Sequence, residues 1–150
     1  MYRKILVPVD GSTASLKGLD EAIKLAKSSG AALKLVHVVN EFIMDAGYVP
    51  SIHYEQLILS LRDLGKKVLQ AAERVAREQN VAVECELVET IGGPAADSIV
   101  EAARNWPADL ILMGTHGRRG LRRLAMGSDA ELVLRKSPVP VLMVRDAPET

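Results

Sequence analysis

Apolar and polar positions along this chain switch repeatedly between a period of two and a period near 3.6, and each switch predicts a new element. Residues 2–9 (YRKILVPV) form a short apolar, β-branched run closed by Asp10-Gly11-Ser12, which reads as a strand, a turn and a helix cap. Leu16, Leu19, Ile23 and Ala26 then recur at spacings of three and four, and Gly30 stands where a C-terminal cap is expected. Gly18 weakens that helix by about 1 kcal/mol relative to alanine. Residues 32–39 (ALKLVHVV) predict a second strand, and 40–52, polar and without a period, a loop. A long helix follows with Leu57, Leu61, Leu64, Val68, Ala72 and Val75 on one stripe, too short a repeat for a coiled-coil seam and suited to a core face.

Residues 81–89 (VAVECELVE) alternate strictly, as a half-exposed strand does. Gly92-Gly93-Pro94 interrupts the chain, with Pro94 expected at the first helical position. Ala95, Ile99, Ala102 and Ala103 then make a helical face that Trp106-Pro107 ends. Residues 109–113 (DLILM) are almost wholly apolar, the pattern of a central strand covered on both faces. A glycine- and arginine-rich stretch runs from Gly114 to Gly127. Ser128-Asp129-Ala130-Glu131 has the spacing of a capping box and opens a helix through Lys136. Residues 139–144 (VPVLMV) predict the last strand. Strands alternating with helices imply an α/β fold: an open, Rossmann-like, five-stranded parallel sheet with helices on both faces, too few strands for a barrel.

The length, 150 residues, fits one domain spanning 1–150 that buries a core without a metal or disulfide. Lysine plus arginine total 19, as do aspartate plus glutamate, which argues against a nucleic-acid polymer or a membrane surface as partner. Five aromatic residues (Tyr2, Phe42, Tyr48, Tyr54, Trp106) are too few for a base-stacking platform. Cys85 is the single cysteine and falls on the apolar side of its strand pattern, which suits a small buried hydrophobe better than a reactive thiol. No signal peptide or membrane-length apolar run is visible, so a cytoplasmic location is expected.

Ligands of open parallel sheets bind beyond the carboxyl ends of the strands, where connections diverge to opposite faces. Two strand ends carry unusual polar chemistry: Pro8-Val9-Asp10-Gly11-Ser12 and Met113-Gly114-Thr115-His116-Gly117. If both serve one site, their strands are neighbours, which favours the order 3-2-1-4-5 over 2-1-3-4-5. The second loop contains Gly114, Gly117, Gly120 and Gly127, with Arg118, Arg119, Arg122 and Arg123 and no acid from Gly114 to Met126. Glycines admit close backbone approach to an anion, arginine forks match phosphate oxygens, and the loop ends at a helix start. This is a candidate nucleotide-phosphate site. The standard alternatives fail on spacing: there is no Walker GxxxxGK[ST], no GxGxxG after the first strand and no GxSxG elbow. His37, His53 and His116 lack metal-ligand spacing.

Met113-Gly114-Thr115-His116-Gly117, nine residues, then Gly127-Ser128 make the pattern G-x2-G-x9-G-[ST], which resembles the ATP-binding branch of the universal stress proteins. ILVPVDGS (5–12), LVHVV (35–39) and SPVPVLMV (137–144) are similar to that family as well. The resemblance implies the order 3-2-1-4-5 and a nucleotide site at Pro8, Val9 and Asp10, with Asp10 toward the adenosine and the Val38 backbone at the adenine edge. Met113 and Gly114 would border the adenosine. Gly117, Gly127, Ser128 and Asp129 would hold ribose or phosphates, with His116 in the same loop and Arg118 as a phosphate contact. It also implies a homodimer through strand 139–144 and a role in stress survival without a defined catalytic reaction.

The apolar last strand lies at an edge in this order, an independent reason to expect pairing with a second copy. The leading expectation is an ATP-binding regulatory protein, with magnesium possible on the phosphates. The alternatives are a slow ATPase or nucleotidyl-transferring enzyme, for which only His116 or Asp129 offers a base, and a nucleotide-free interaction dimer.

Overall fold

β1 (Lys4–Pro8) is fully buried at Ile5, Leu6 and Val7, which requires apolar layers on both of its faces. Those layers come from α1 (Thr13–Ser29), α2 (Ser51–Glu78), α3 (Ala95–Asn105) and α4 (Ser128–Lys136). The computed structural model describes residues 1–40, 51–115 and 127–145, the side chains of 51 and 52 excepted. β1 lies between β2 (Ala32–Asn40) and β4 (Leu110–Gly114), with β3 (Val83–Thr90) and β5 (Val141–Val144) at the edges. The order is β3-β2-β1-β4-β5 and every neighbouring pair is parallel, as expected.

The pleat divides the core in two. Ile5, Val7, Leu33, Leu35, Leu110 and Leu112 pack against α1 and α2 with Leu19, Ile23, Leu69 and Ala76. Leu6, Val36, Ile111 and Met113 pack on the opposite side against α3 and α4 with Ile99, Ala103 and Val133. Each fully buried leucine or isoleucine contributes about 1.5–3 kcal/mol. No helix among the described residues is long and apolar enough to cross a membrane.

Several boundaries and faces differ from expectation. β2 runs through Asn40 and α2 begins at Ser51, so the expected 40–52 loop is shorter at both ends; residues 41–50 lie outside the described ones. α2 is rolled by about one position. Its buried stripe is Ile58, Gly65, Leu69, Ala72 and Ala76, while Leu57, Leu64 and Val75 are exposed. Gly65 is the reason: a Cβ there would lie 2.7 Å from both His37 Cδ2 and Leu87 Cδ1, so the helix comes closest to the sheet where it has no side chain.

Pro94 is the N-cap of α3, with extended backbone, and not its first helical residue. At α4 the N-cap is Gly127 and Ser128 is already helical, so the expected capping box does not form; Glu131 pairs with Arg135 instead. β5 starts at Val141, not 139, because Pro138 and Pro140 have no N–H for the ladder. Gly30 caps α1 in the left-handed region (φ 76°), as expected.

Candidate functional site

The sheet opens between β1 and β4. β1 stays paired with β2 to its last residue, Pro8 against Val36, but its pairing with β4 stops at Leu6–Ile111. Below that point the two strands are pinned: Asp109 N–H donates to the Lys4 carbonyl, and the Asp109 carboxylate accepts from the Arg3 and Lys4 amides. Above it, β1 leads to α1 on one face and β4 leads toward α4 on the other. Such divergence leaves a crevice at the carboxyl ends of the two strands.

Asp10 stands on the β1 side of this opening. Its Oδ1 accepts from Ser12 N–H at 2.8 Å, so the carboxylate closes the turn into α1. Ser12 is the N-cap, and its Oγ accepts from Ser15 N–H at 3.1 Å. Ser15 returns the bond one turn earlier, its Oγ accepting from Asp10 N–H at 3.1 Å. Gly11, at φ 83°, adopts the left-handed conformation this tight entry needs. α1 has no acid in its first turn, so its positive end is offset only by the capping groups.

On the β4 side, Met113 and Gly114 are buried. Among the described residues, Gly114 admits the start of α1. A Cβ on it would lie 2.6 Å from the Ala14 carbonyl oxygen, and one on Gly18 would lie 3.2 Å from Gly114 N. The two glycines clamp the start of α1 against the end of β4, which also explains a glycine inside α1. Thr115 joins the pieces: its N–H donates to the Val144 carbonyl of β5, and its carbonyl accepts from Gly127 N–H at 2.6 Å. That bond brings the N-terminus of α4 to the end of β4. Gly127, half-buried as N-cap, has no side chain to occupy the first-turn amides of Ser128, Asp129 and Ala130, which have no partner within the helix. Ser128 and Asp129 are exposed there.

Pro8 is half-buried at the end of β1, Val9 is buried just beyond it, and Val38 is half-buried on β2, on the same side of the sheet as Met113. Pro8, Val9 and Asp10 thus lie at or just past the end of β1, and Met113, Gly114 and, through Thr115, Gly127, Ser128 and Asp129 at or past the end of the neighbouring β4, with Val38 one strand away on β2. His116, Gly117 and Arg118, like Arg119, Arg122 and Arg123, lie outside the described residues. Sequence reasoning missed Ser15, His37 and Thr115, the buried polar residues of the described chain. The spacing Asp10-x-Ser12-x-x-Ser15 was the available signal for the first. His37 Nδ1 donates to the Val9 carbonyl at 2.8 Å, a pairing no local pattern announces. Among the described residues no group of three or more His, Cys, Asp or Glu side chains could hold a metal ion.

Cys85 is remote from the opening. Burial, followed by the bond its thiol donates to Glu73 Oε2 at 3.0 Å, pushes its pKa up to about 12. The bond from the Cys85 thiol, ahead of the one from Arg77, holds the Glu73 carboxyl below its usual range.

Residues 1–145 match the sequence profile of the universal stress protein family. The chain is 36% identical to universal stress protein MJ0531 of Methanocaldococcus jannaschii over 147 residues, covering 97% of this chain and 83% of that one. It is 34% identical to universal stress protein YxiE of Bacillus subtilis, over 97% of this chain and all of that one. The fold superposes on universal stress protein UspA from Lactobacillus plantarum with a TM-score of 0.82 at 26% identity, covering 96% and 98% of the two chains. It also resembles a universal stress protein from Archaeoglobus fulgidus in complex with dAMP (TM-score 0.66, 26% identity, 95% and 97% covered). A further universal stress protein, in complex with cAMP, matches at a TM-score of 0.65 and 27% identity, with 95% and 96% covered.

Proposed function

The chain belongs to the universal stress protein family, and from that premise we propose that it binds an adenine nucleotide, ATP, in the opening between β1 and β4. The observation that carries the reading is the parting of those strands beyond Leu6–Ile111, with the first-turn amides of α4 tied to the β4 end through Thr115. The relatives in complex with dAMP and cAMP support an adenine nucleotide as the ligand class. In this reading Asp10 faces the adenosine, the Val38 backbone meets the adenine edge, and Met113 and Gly114 border the sugar and base. The amides of Ser128 and Asp129 and the backbone of Gly127 receive phosphate oxygens, where the helix dipole favours negative charge. His116, Gly117 and Arg118 belong to the same reading through their places in the G-x2-G-x9-G-S pattern.

Magnesium, keeping most of its water ligands, fits on the phosphates themselves and would offset the Asp129 carboxylate beside them. The reading makes the protein a cytoplasmic, ATP-responsive regulator of stress survival, and assigns no catalytic residue.

Calorimetric titration of the full chain with ATP, AMP and GTP tests this. ATP and AMP are expected to bind with GTP at least about tenfold weaker, a difference of about 1.4 kcal/mol. Gly127→Val, which places a branched side chain where phosphate meets the α4 amides, is expected to weaken ATP by a similar factor or more. Equal affinity for ATP and GTP, or an unaffected Gly127→Val, overturns the site.

A further inference from the structure

Of the three polar side chains buried among the described residues, two act on a single peptide unit. The carbonyl of Val9 accepts from His37 Nδ1 at 2.8 Å, and the N–H of the same peptide, that of Asp10, donates to Ser15 Oγ at 3.1 Å. Both side chains are nearly inaccessible, His37 at 9% and Ser15 at 6%. The unit they grip lies past the last registered pair of β1 and β2, Pro8–Val36, where Val9 N–H still donates to the Val36 carbonyl. Beyond that bond, the direction in which Asp10 leaves the sheet is set by His37 from β2 and Ser15 from α1.

His37 is itself held in place. Its ring lies over Gly65 of α2, where an added Cβ would stand 2.7 Å from Cδ2 and 3.2 Å from Nε2, with Leu87 on β3 equally close to that position. A carbonyl oxygen can only accept, so Nδ1 carries the proton. An imidazole fixed by α2 and β3 therefore fixes a backbone carbonyl one residue before Asp10. A greasy side chain of similar size would fill the same space at less desolvation cost, but it would leave the Val9 carbonyl without its partner.

We propose that His37, with Ser15, is a positioning residue of the nucleotide site: the pair orients the Val9–Asp10 peptide so that Asp10 is presented to the ligand, without either side chain touching it. The inference rests on the adenine-nucleotide reading above and adds residues to that site. An error of about 1 Å in a binding group is enough to lose much of its contribution, which is why such a group needs a rigid support.

The test compares full-length wild type, His37→Leu, His37→Asn and Ser15→Ala in two measurements: calorimetric titration with ATP, and amide hydrogen exchange of the nucleotide-free proteins by NMR. Asparagine places its amide nitrogen close to the position of Nδ1 and restores the donor; leucine fills the volume without one. His37→Leu is expected to bind ATP about tenfold more weakly, His37→Asn within about threefold of wild type, and Ser15→Ala between the two, since a single buried hydrogen bond is worth about that factor. In the free proteins, the Asp10 and Ser12 amides are expected to exchange faster in His37→Leu, while Leu19 and Ile23 in the body of α1 stay protected.

If His37→Leu does not fold, Ser15→Ala carries the comparison alone. Wild-type affinity in His37→Leu, or in Ser15→Ala in that case, overturns this inference and leaves the nucleotide reading standing. Equal weakening in the leucine and asparagine variants overturns it too, because the donor would then not be the agent. Failure of the wild type to bind ATP, with unchanged exchange behaviour, overturns the nucleotide reading and this inference with it.

Discussion

Asp10 serves the fold before it serves any ligand, since its carboxylate already closes the turn into α1 through Ser12 N–H. The two roles separate by substitution. Asp10→Asn keeps the acceptor oxygen and is expected to hold stability within about 0.5 kcal/mol, whereas Asp10→Ala loses it and is expected to cost about 1 kcal/mol, measured by urea unfolding. Both are expected to weaken ATP binding, so an alanine variant with unchanged affinity would confine Asp10 to closing this turn. Cys85 is the converse, a residue of reactive type made inert by its surroundings. With its pKa pushed from 9.0 up to about 12, the folded thiol is expected to react with iodoacetamide at pH 8 at least about tenfold more slowly than in the denatured chain. Between those two values the unfolded chain has already released this proton and the folded chain has not. The unfolded state then binds fewer protons, so stability falls as pH rises across that window. Cys85→Ala is expected to remove this part of the alkaline decline; a decline identical in the variant would contradict it. The sequence placed Cys85 on the right side of its strand through alternation, but the Glu73 partner comes from a different element and had no local signature.

Elements obey their sequence periods, while their ends and rolls answer to neighbours. α1 keeps Leu19, Ile23 and Ala26 inside but leaves Leu16 of the expected stripe 52% exposed, its place on the core face taken by Ser15 and Gly18, whereas β3 keeps Val83, Cys85 and Leu87 on one face as expected. α2 offers two overlapping stripes, one through Leu57, Leu64 and Val75 and one through Ile58, Leu69 and Ala76, and the sheet selects the second. The selection follows from close approach at Gly65, where His37 and Leu87 take the space a side chain would fill. The glycines of the opening obey the same logic. Gly114→Ala drives a methyl group into the Ala14 backbone, so the start of α1 must move; a loss of about 1–3 kcal/mol is expected on chemical unfolding. A neutral result would mean that α1 and β4 are not clamped there. α4 shows why a capping box read from sequence fails: Thr115 takes the Gly127 amide and draws the helix start back by one residue, leaving Ser128 inside the helix.

At the scale of the molecule, the net charge of zero argues against a long polyanion as partner and leaves room for a small one, because four of the arginines fall in one acid-free stretch. β5 closes the sheet at an edge whose Val141, Leu142 and Met143 are apolar, with Leu142 44% exposed. Such an edge invites a second chain, and we expect a homodimer formed by antiparallel pairing of two β5 strands. Sedimentation at tens of micromolar is expected to give the dimer mass and Leu142→Lys a monomer; a monomeric wild type would refute the pairing. Hydrophobic periods and turn residues carry element type, the parallel open sheet and the glycine pattern of the loop, because each is written in residues near one another along the chain. Apart from the family resemblance, strand order followed only on the assumption that the β1 and β4 ends share a site. The tertiary structure decided the rest: the parting of β1 from β4, the roll of α2, the reason for Gly114, and the grip of His37 and Ser15 on the Val9–Asp10 peptide. Those features are contacts between residues far apart in sequence, set by close packing and by the need of each buried polar group for a partner, and neither requirement leaves a local period to read.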